Sequence, residues 1–366
     1  MKEKLLLICP DFYNYYKYLE NAFNKYFQTT CVPVNYSDNN FRKKPSSIFS
    51  LNFLKSKVDR NNRRKYLINT ETTLSMMFFD KVLIISIFPF SNELLSNLIK
   101  TNPNVTINIF LWDELSKIPQ IKSIFYLATN IFTFNAPDVI ALQRESGCYR
   151  TNCLYLPNFY IERRINFDND NSHKLTYIGT VNPDTIERLE FIGQLYNWCK
   201  QHSIDCMFYL RYHTSLINSS IIKKFYLNIF HNPFYSYIKL ISKHLDKPYL
   251  HNRILPLQKV LEIESNSECL LDISHTGRQG YGLNVISAIG NNQKLISDNK
   301  FLKEEPFYSS ENICVIDEKL NGLSSEFFSL KKRQIDISCL EVCNWVRMLF
   351  EPEYYHTNIS KVYTKK

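Results

Sequence analysis

The chain alternates short apolar runs with segments whose apolar residues recur at three and four, and it begins that alternation twice. Lys4 to Cys9 is an apolar run of strand length. Tyr16, Leu19, Phe23 and Phe27 follow at helical spacing, and Cys31 to Val34 returns as a strand. Strand, helix and strand in that order start a doubly wound parallel sheet. Val82 to Ile87 and Thr106 to Trp112 read as further buried strands, Asn130 to Phe134 as an edge strand, and Cys153 to Leu156 as the last of the series. A polar stretch, Phe167 to His173, then reads as a linker, after which the pattern restarts. Leu175 to Ile178 is a strand, Gly179-Thr180 a turn, and Asp184 to Lys200 a helix with Leu189, Ile192, Leu195 and Cys199 inward. Cys206 to Leu210 is the next strand. The expectation is an α/β protein of two Rossmann-like lobes facing a central cleft. The N-terminal lobe is expected over 1–166, the C-terminal lobe over 174–350 and a tail over 351–366. The last helix, through Leu340, Cys343, Val346 and Phe350, suits either lobe.

At 366 residues, length alone favours two domains over one. The ten cysteines include no CxxC pair, and no His/Cys cluster has zinc-ligand spacing, so buried thiols in a reducing compartment are expected. Leu5 to Cys9 stops at Pro10-Asp11, too soon for a signal peptide, and no apolar run approaches membrane-spanning length. The expected location is the cytoplasm. A formal net charge of +9 favours an anionic partner. Nucleic acid is not expected, because no recognisable RNA- or DNA-binding module occurs. Arg42 to Lys65 mixes nine cations with Ile48, Phe49, Leu51, Phe53 and Leu54. It reads either as a surface docking on anionic lipid at the inner face of the cytoplasmic membrane or as a solvated loop. Ile221 to Arg253 is also basic and aromatic, and its rings suit a core better.

Four of the eight glycines fall between Gly277 and Gly290. The apolar run Cys269 to Ile273 precedes them as a strand, and Leu283, Ile286 and Ile289 follow at helical spacing. A glycine-rich turn at a helix N-terminus offers free N–H groups and a favourable dipole to a phosphate. Arg278 adds a forked cation and His275 a switchable donor. The alternative is an ordinary tight connection.

The order of landmarks along the chain resembles bacterial surface-polysaccharide glycosyltransferases of the GT-B fold, those of lipopolysaccharide, capsule and exopolysaccharide synthesis. The resemblance is carried by Cys269-Leu-Leu-Asp-Ile-Ser-His-Thr-Gly-Arg-Gln-Gly-Tyr-Gly-Leu, Lys294-Leu-Ile-Ser-Asp-Asn and Pro306-Phe-Tyr-Ser-Ser-Glu-Asn-Ile. Ile8 to Tyr15, Phe110 to Asp113, Phe132 to Asp138 and Leu175 to Thr180 extend it over most of the chain. It implies a nucleotide-sugar donor on the C-terminal lobe and a glycan or lipid-linked glycan acceptor on the N-terminal lobe. The donor-side residues are then Gly179, Thr180, His275, Gly277, Arg278, Gln279, Gly280, Gly282, Leu283 and Ser287, and Arg211, which follows the strand Cys206 to Leu210, is either a second phosphate contact or a surface cation. Where many relatives carry a ribose-binding Glu, this chain has Ser287, which cannot accept bidentately.

Transfer from a nucleotide sugar requires charge on the departing diphosphate to be met and, with inversion, a base for the acceptor hydroxyl. The expected bases are Asp113, at the end of a buried strand, and Asp11, above the first strand; either could be a capping or turn carboxylate instead. No cofactor and no metal are expected, since Asp168-Asn169-Asp170 lies in the polar linker. The rival expectations are a sugar-nucleotide epimerase or hydrolase on the same architecture, and a non-catalytic two-lobed binding protein.

Overall fold

The computed structural model describes residues 2–11, 14–35, 53–145, 151–165, 172–212, 233–273 and 280–363, with side chains left aside at 53–60, 184 and 233–235. The chain divides into two compact units. Unit 1 is Met1–Asn158 with Val342–Ile359, and unit 2 is Phe159–Glu341 with Ser360–Lys366.

Unit 1 holds a six-stranded parallel sheet. Its strands are β1 (Lys4–Pro10), β2 (Gln28–Val34), β3 (Lys81–Ile85), β4 (Thr106–Leu111), β5 (Asn130–Thr133) and β6 (Asn152–Tyr155), ordered β2-β1-β3-β4-β5-β6. Its helices are α1 (Tyr15–Asn24), α2 (Phe53–Ser75), α3 (Asn92–Thr101) and α4 (Ala136–Glu145). The middle strands are largely apolar because helices cover both faces, as a parallel sheet requires. Leu6, Ile8, Val82, Ile84, Ile107 and Ile109 face a core completed by Leu94, Leu95, Leu98 and Phe125. β3 stops at Ile85 because Ser86 turns into the left-handed region at φ 55°. β5 is not an edge strand. It pairs with β4 on one side and β6 on the other, and β6 forms the edge.

Unit 2 repeats the plan. Its strands are β7 (His173–Thr180), β8 (Cys206–Arg211), β9 (Leu250–His251), β10 (Ser267–Asp272), β11 (Lys294–Ser297) and β12 (Ile313–Val315), ordered β12-β11-β10-β7-β8-β9 and all parallel. The helices α5 (Glu187–Gln201), α6 (Pro233–Lys243), α7 (Leu257–Ser265), α8 (Leu283–Gly290) and α9 (Glu326–Ser329) join them. Leu189, Ile192, Leu195 and Cys199 of α5 are fully buried against Leu175, Phe208 and Leu210. The restart of the pattern places β7 in the middle of the sheet, with β10 on one side and β8 on the other. His173, placed in the linker by sequence, is the first residue of β7; of that linker 166–171 lie outside the described residues.

The two last helices, α10 (Val342–Phe350) and α11 (Pro352–Asn358), fall at the end of the C-terminal lobe and in the tail on the sequence boundaries, yet they belong to unit 1. Aromatic packing explains the difference. Trp345 is fully buried, edge-on to Phe110 at 4.9 Å, with its indole N–H donating to the Pro157 carbonyl at 2.9 Å. Phe350 meets Phe23 and Phe27 at 6.5 and 5.3 Å between ring centroids, and the Tyr355 hydroxyl donates to the Tyr155 carbonyl at 2.7 Å.

Candidate functional site

In a doubly wound sheet, ligands bind beyond the carboxyl ends of the strands, where the strand order reverses, because the two flanking loops diverge and leave a crevice. In unit 2 the order reverses between β7 and β10. Gly179 and Thr180 end β7, Asp272 ends β10, and Arg211 ends β8 in register with Thr180. Gly280, Gly282 and Leu283 lead into α8 on the same edge, with Gly282 at the N-cap. The structure therefore brings together Gly179, Thr180, Arg211, Gly280, Gly282 and Leu283. His275, Gly277, Arg278 and Gln279 lie outside the described residues.

Two glycines are required by close approach. A Cβ on Gly179 would come within 2.5 Å of the Tyr177 hydroxyl, so its absence lets the ring lie along the end of β7. A Cβ on Gly282 would meet the Asp272 carboxylate at 3.0 Å. Asp272 is buried and accepts from Ser297 Oγ at 3.4 Å, while Asn299 Nδ2 donates to the Gly280 carbonyl at 3.5 Å. These bonds anchor the described end of the glycine loop to the tips of β10 and β11.

Arg188, in the first turn of α5, spans the switch point. Its guanidinium donates to the Thr180 carbonyl at 3.4 Å, at the end of β7, and to the Ile273 carbonyl at 3.3 Å, just past β10. Burial pushes the Tyr177 hydroxyl up, partly offset by Arg188, so it stays a neutral donor at pH 7. Arg211 is half-buried, and its Nε is buried with no hydrogen-bond partner among the described residues. A buried N–H without a partner is costly, so the guanidinium is set to receive an acceptor from a ligand or water. Beside it, His251 stacks on Tyr209 at 3.9 Å with the rings 6° apart, and burial lowers its pKa, favouring the neutral imidazole. Arg188, Tyr177 and Asp272 carry much of this edge and were missed as site residues. The available signal was position: Tyr177 and Asp272 lie within a few residues of the strand ends that flank the reversal, and Arg188 lies in the first turn of the helix that follows β7.

Ser287 is not brought to that edge. Its Oγ accepts from Arg163 Nη2 at 2.7 Å. The same guanidinium bonds Glu264 and Gln293, and the Arg163 N–H donates to Asn291 Oδ1 at 2.8 Å. Glu264 precedes β10 and Gln293 precedes β11, so the cluster sits where the strands begin.

In unit 1 the reversal falls between β1 and β3. Asp11 follows β1, is exposed, and donates its backbone N–H to the Val34 carbonyl at 2.7 Å. Asp113 is half-buried just beyond β4. Trp112 is held by its N–H to Ser86 Oγ at 2.6 Å and by an edge contact with Tyr15 at 5.9 Å. With β3 between β1 and β4, the two residues follow strands about 10 Å apart, two strand spacings, on one edge of the sheet. Nearby, Cys9 Sγ lies 3.9 Å from Cys31 Sγ, and that contact with burial drives the Cys9 thiol well up, so it is not a thiolate nucleophile at neutral pH. Among the described residues no group of three or more His, Cys, Asp or Glu could hold a metal ion. Asp168-Asn169-Asp170 lies outside them.

No protein-family model and no curated protein sequence matches the chain. Solved structures do. The N-terminal domain of trehalose-6-phosphate phosphatase from Candida albicans is 13% identical with a TM-score of 0.55, over 99% of this chain and 97% of that one. The chain's fold is α/β of the GT-B type. UDP-GlcNAc 2-epimerase from Methanocaldococcus jannaschii, in complex with UDP-GlcNAc and UDP, is 14% identical with a TM-score of 0.47, over 94% and 98%. A lipopolysaccharide outer core galactosyltransferase is 13% identical with a TM-score of 0.40, over 98% of both chains. At these identities the likeness is one of fold.

Proposed function

We propose that the protein is a glycosyltransferase that moves a sugar from a nucleotide-sugar donor to a growing surface glycan or glycolipid. The observation that carries the reading is that the N-terminus of α8 and Arg211, whose buried Nε has no partner among the described residues, lie at the same carboxyl edge of the unit 2 sheet, on either side of the tip of β7. Both offer N–H groups to an anion at the edge where such folds take nucleotides. In this reading the α8 N–H groups, Arg211 and Arg278 meet the charge that grows on the departing diphosphate. Arg188 and Asp272 position the loops that present them. Asp113, or Asp11, takes the proton from the acceptor hydroxyl.

The test is release of UDP, GDP or CMP from a panel of nucleotide sugars, with and without glycan acceptors. Release that depends on acceptor supports transfer; release without acceptor, or epimer formation, assigns the rival hydrolase or epimerase. A donor at a hundredfold excess over Kd is expected to stabilise the protein by about 2.7 kcal/mol, visible as a thermal shift. Arg278→Ala is expected to weaken that donor by about 1.5–3 kcal/mol, the range for a hydrogen bond to a charged group. Arg278→Lys should recover only part of it, because the fork is lost. Unchanged donor affinity in folded Arg278→Ala removes Arg278 from the site.

The acceptor side of the proposal includes docking on anionic lipid through Arg42 to Lys65. Residues 42–52 lie outside the described residues, and the rest enters α2, whose later turns expose Tyr66 and Ile68 beside Arg63. Among the described residues no helix is long and apolar enough to cross a membrane. Co-sedimentation with anionic liposomes is expected in low salt and should fall as salt shortens the screening length to about 8 Å and below. Equal pelleting with neutral liposomes, or none in low salt, overturns the docking.

A further inference from the structure

Unit 1 contains a cavity of about 500 Å³ at the edge of its sheet where the strands begin, opposite the edge that carries Asp11 and Asp113. Its floor is unusual for a sheet face covered by helices. Asn108 of β4, Asn130 of β5 and Asn152 of β6 stand in register on adjacent strands. Asn152 Nδ2 donates to Asn130 Oδ1 at 3.1 Å, Asn130 Nδ2 to Asn108 Oδ1 at 2.9 Å, and Asn108 Nδ2 to the Leu349 carbonyl at 2.6 Å. Asn108 is fully buried, Asn130 half-buried and Asn152 exposed, so the row runs from the core out to the edge strand β6. Burying amides under helices is unfavourable unless their polar atoms are satisfied. The ladder uses one N–H of each amide, and Asn130 and Asn152, which unlike Asn108 keep exposed surface, each have a second N–H to offer, with lone pairs to spare on the oxygens.

The remaining walls are mostly apolar, with Thr106, Thr129 and His356 as their polar members. Phe132, Leu154, Met348 and Phe350 line the cavity together with Tyr355. Lys81 also lines the cavity and lies 3.4 Å from the Glu3 carboxylate, so its charge is met within the protein. A ligand matched to this lining is neutral, carries several hydroxyls and presents an apolar face to aromatic rings. The free amide groups repeat at the strand spacing of about 4.8 Å, the scale of alternate hydroxyls on one pyranose ring. A volume in the ordinary range for small-molecule sites, roughly 300–1,000 Å³, holds one or two such rings.

We propose that this cavity is a binding site for a neutral saccharide unit, separate from the donor edge of unit 2 and from the carboxylates of unit 1. The assignment is independent of the glycosyltransferase reading. The test is saturation-transfer NMR on the full chain with glucose, galactose, N-acetylglucosamine and maltose at millimolar concentration, with and without saturating UDP. At least one of these sugars is expected to receive saturation at its ring C–H protons, and UDP should leave the signal unchanged. Asn130→Leu, which fills the cavity and breaks the ladder at its middle rung, is expected to weaken binding about tenfold or more. Asn152→Ala, at the exposed end where folding is least affected, should weaken it severalfold. No transfer to any of the four sugars overturns the proposal. So does displacement by UDP, or binding unchanged in folded Asn130→Leu. If Asn130→Leu does not fold, unchanged binding in Asn152→Ala overturns it.

Discussion

Replacing Arg163 by alanine is expected to cost unit 2 about 3–5 kcal/mol, the range for breaking a buried ion pair by removing one partner. The side chains of Arg163 and Glu264 are 5% and 11% exposed, so the carboxylate left behind cannot be rehydrated without opening the structure. Ser287 and Gln293 lose a donor at the same time. For a unit of this size the loss corresponds to a fall in Tm of roughly 6–20 °C, read from the transition assigned to unit 2. Arg163 Nε is itself buried without a partner among the described residues, so the guanidinium is imperfectly satisfied. Pairing Arg163→Met with Glu264→Leu is therefore expected to recover about half of the loss or more, since an apolar pair often equals a buried ionic one. A cost below about 1 kcal/mol for the single variant would mean that water reaches the pair, as at surface salt bridges.

That cluster also marks where sequence reading runs out. The strand-helix alternation was legible because apolar periodicity is local: Leu189, Ile192, Leu195 and Cys199 announce their buried face within one helix. Strand order is not local. Asn130 to Phe134 read as an edge strand, but Asn130 is the middle rung of a ladder joining three strands. Helix α10 carries a clear apolar stripe that did not say which unit it covers, and Trp345 against Phe110 decides it across more than two hundred positions. In unit 2, the glycines pointed to the loop between β10 and α8, whose described end lies at the carboxyl edge of the sheet, since their spacing is a property of the backbone. The role of Ser287 was read from a resemblance in linear order, and its bond to Arg163, 124 positions away, could not be seen there. Arg188 joins the carbonyls on both sides of the strand reversal, a role that no local pattern in its helix announces.

The largest expected effect on activity lies in unit 1. If Asp113 is the acceptor base of the proposed transfer, Asp113→Asn is expected to cut turnover about a hundredfold or more, the usual contribution of general base catalysis. The amide keeps the volume and still accepts hydrogen bonds, but it cannot take a proton, so fold and donor affinity should stay near their original values. Trp112 and Ser86 fix the backbone immediately before Asp113, which makes a local collapse in the variant unexpected. Asp11→Asn is the matched control, because Asp11 stands on the same sheet edge but is exposed. A half-buried carboxylate beside a buried strand end is the better placed of the two to meet a hydroxyl away from bulk water, and the expected ranking follows: loss in Asp113→Asn, little change in Asp11→Asn. Loss confined to Asp11→Asn moves the base to the tip of β1. Full turnover in both variants, with donor-dependent transfer intact, removes the side-chain base. It then makes retention of configuration the expected stereochemistry, to be read from the anomeric coupling of the product.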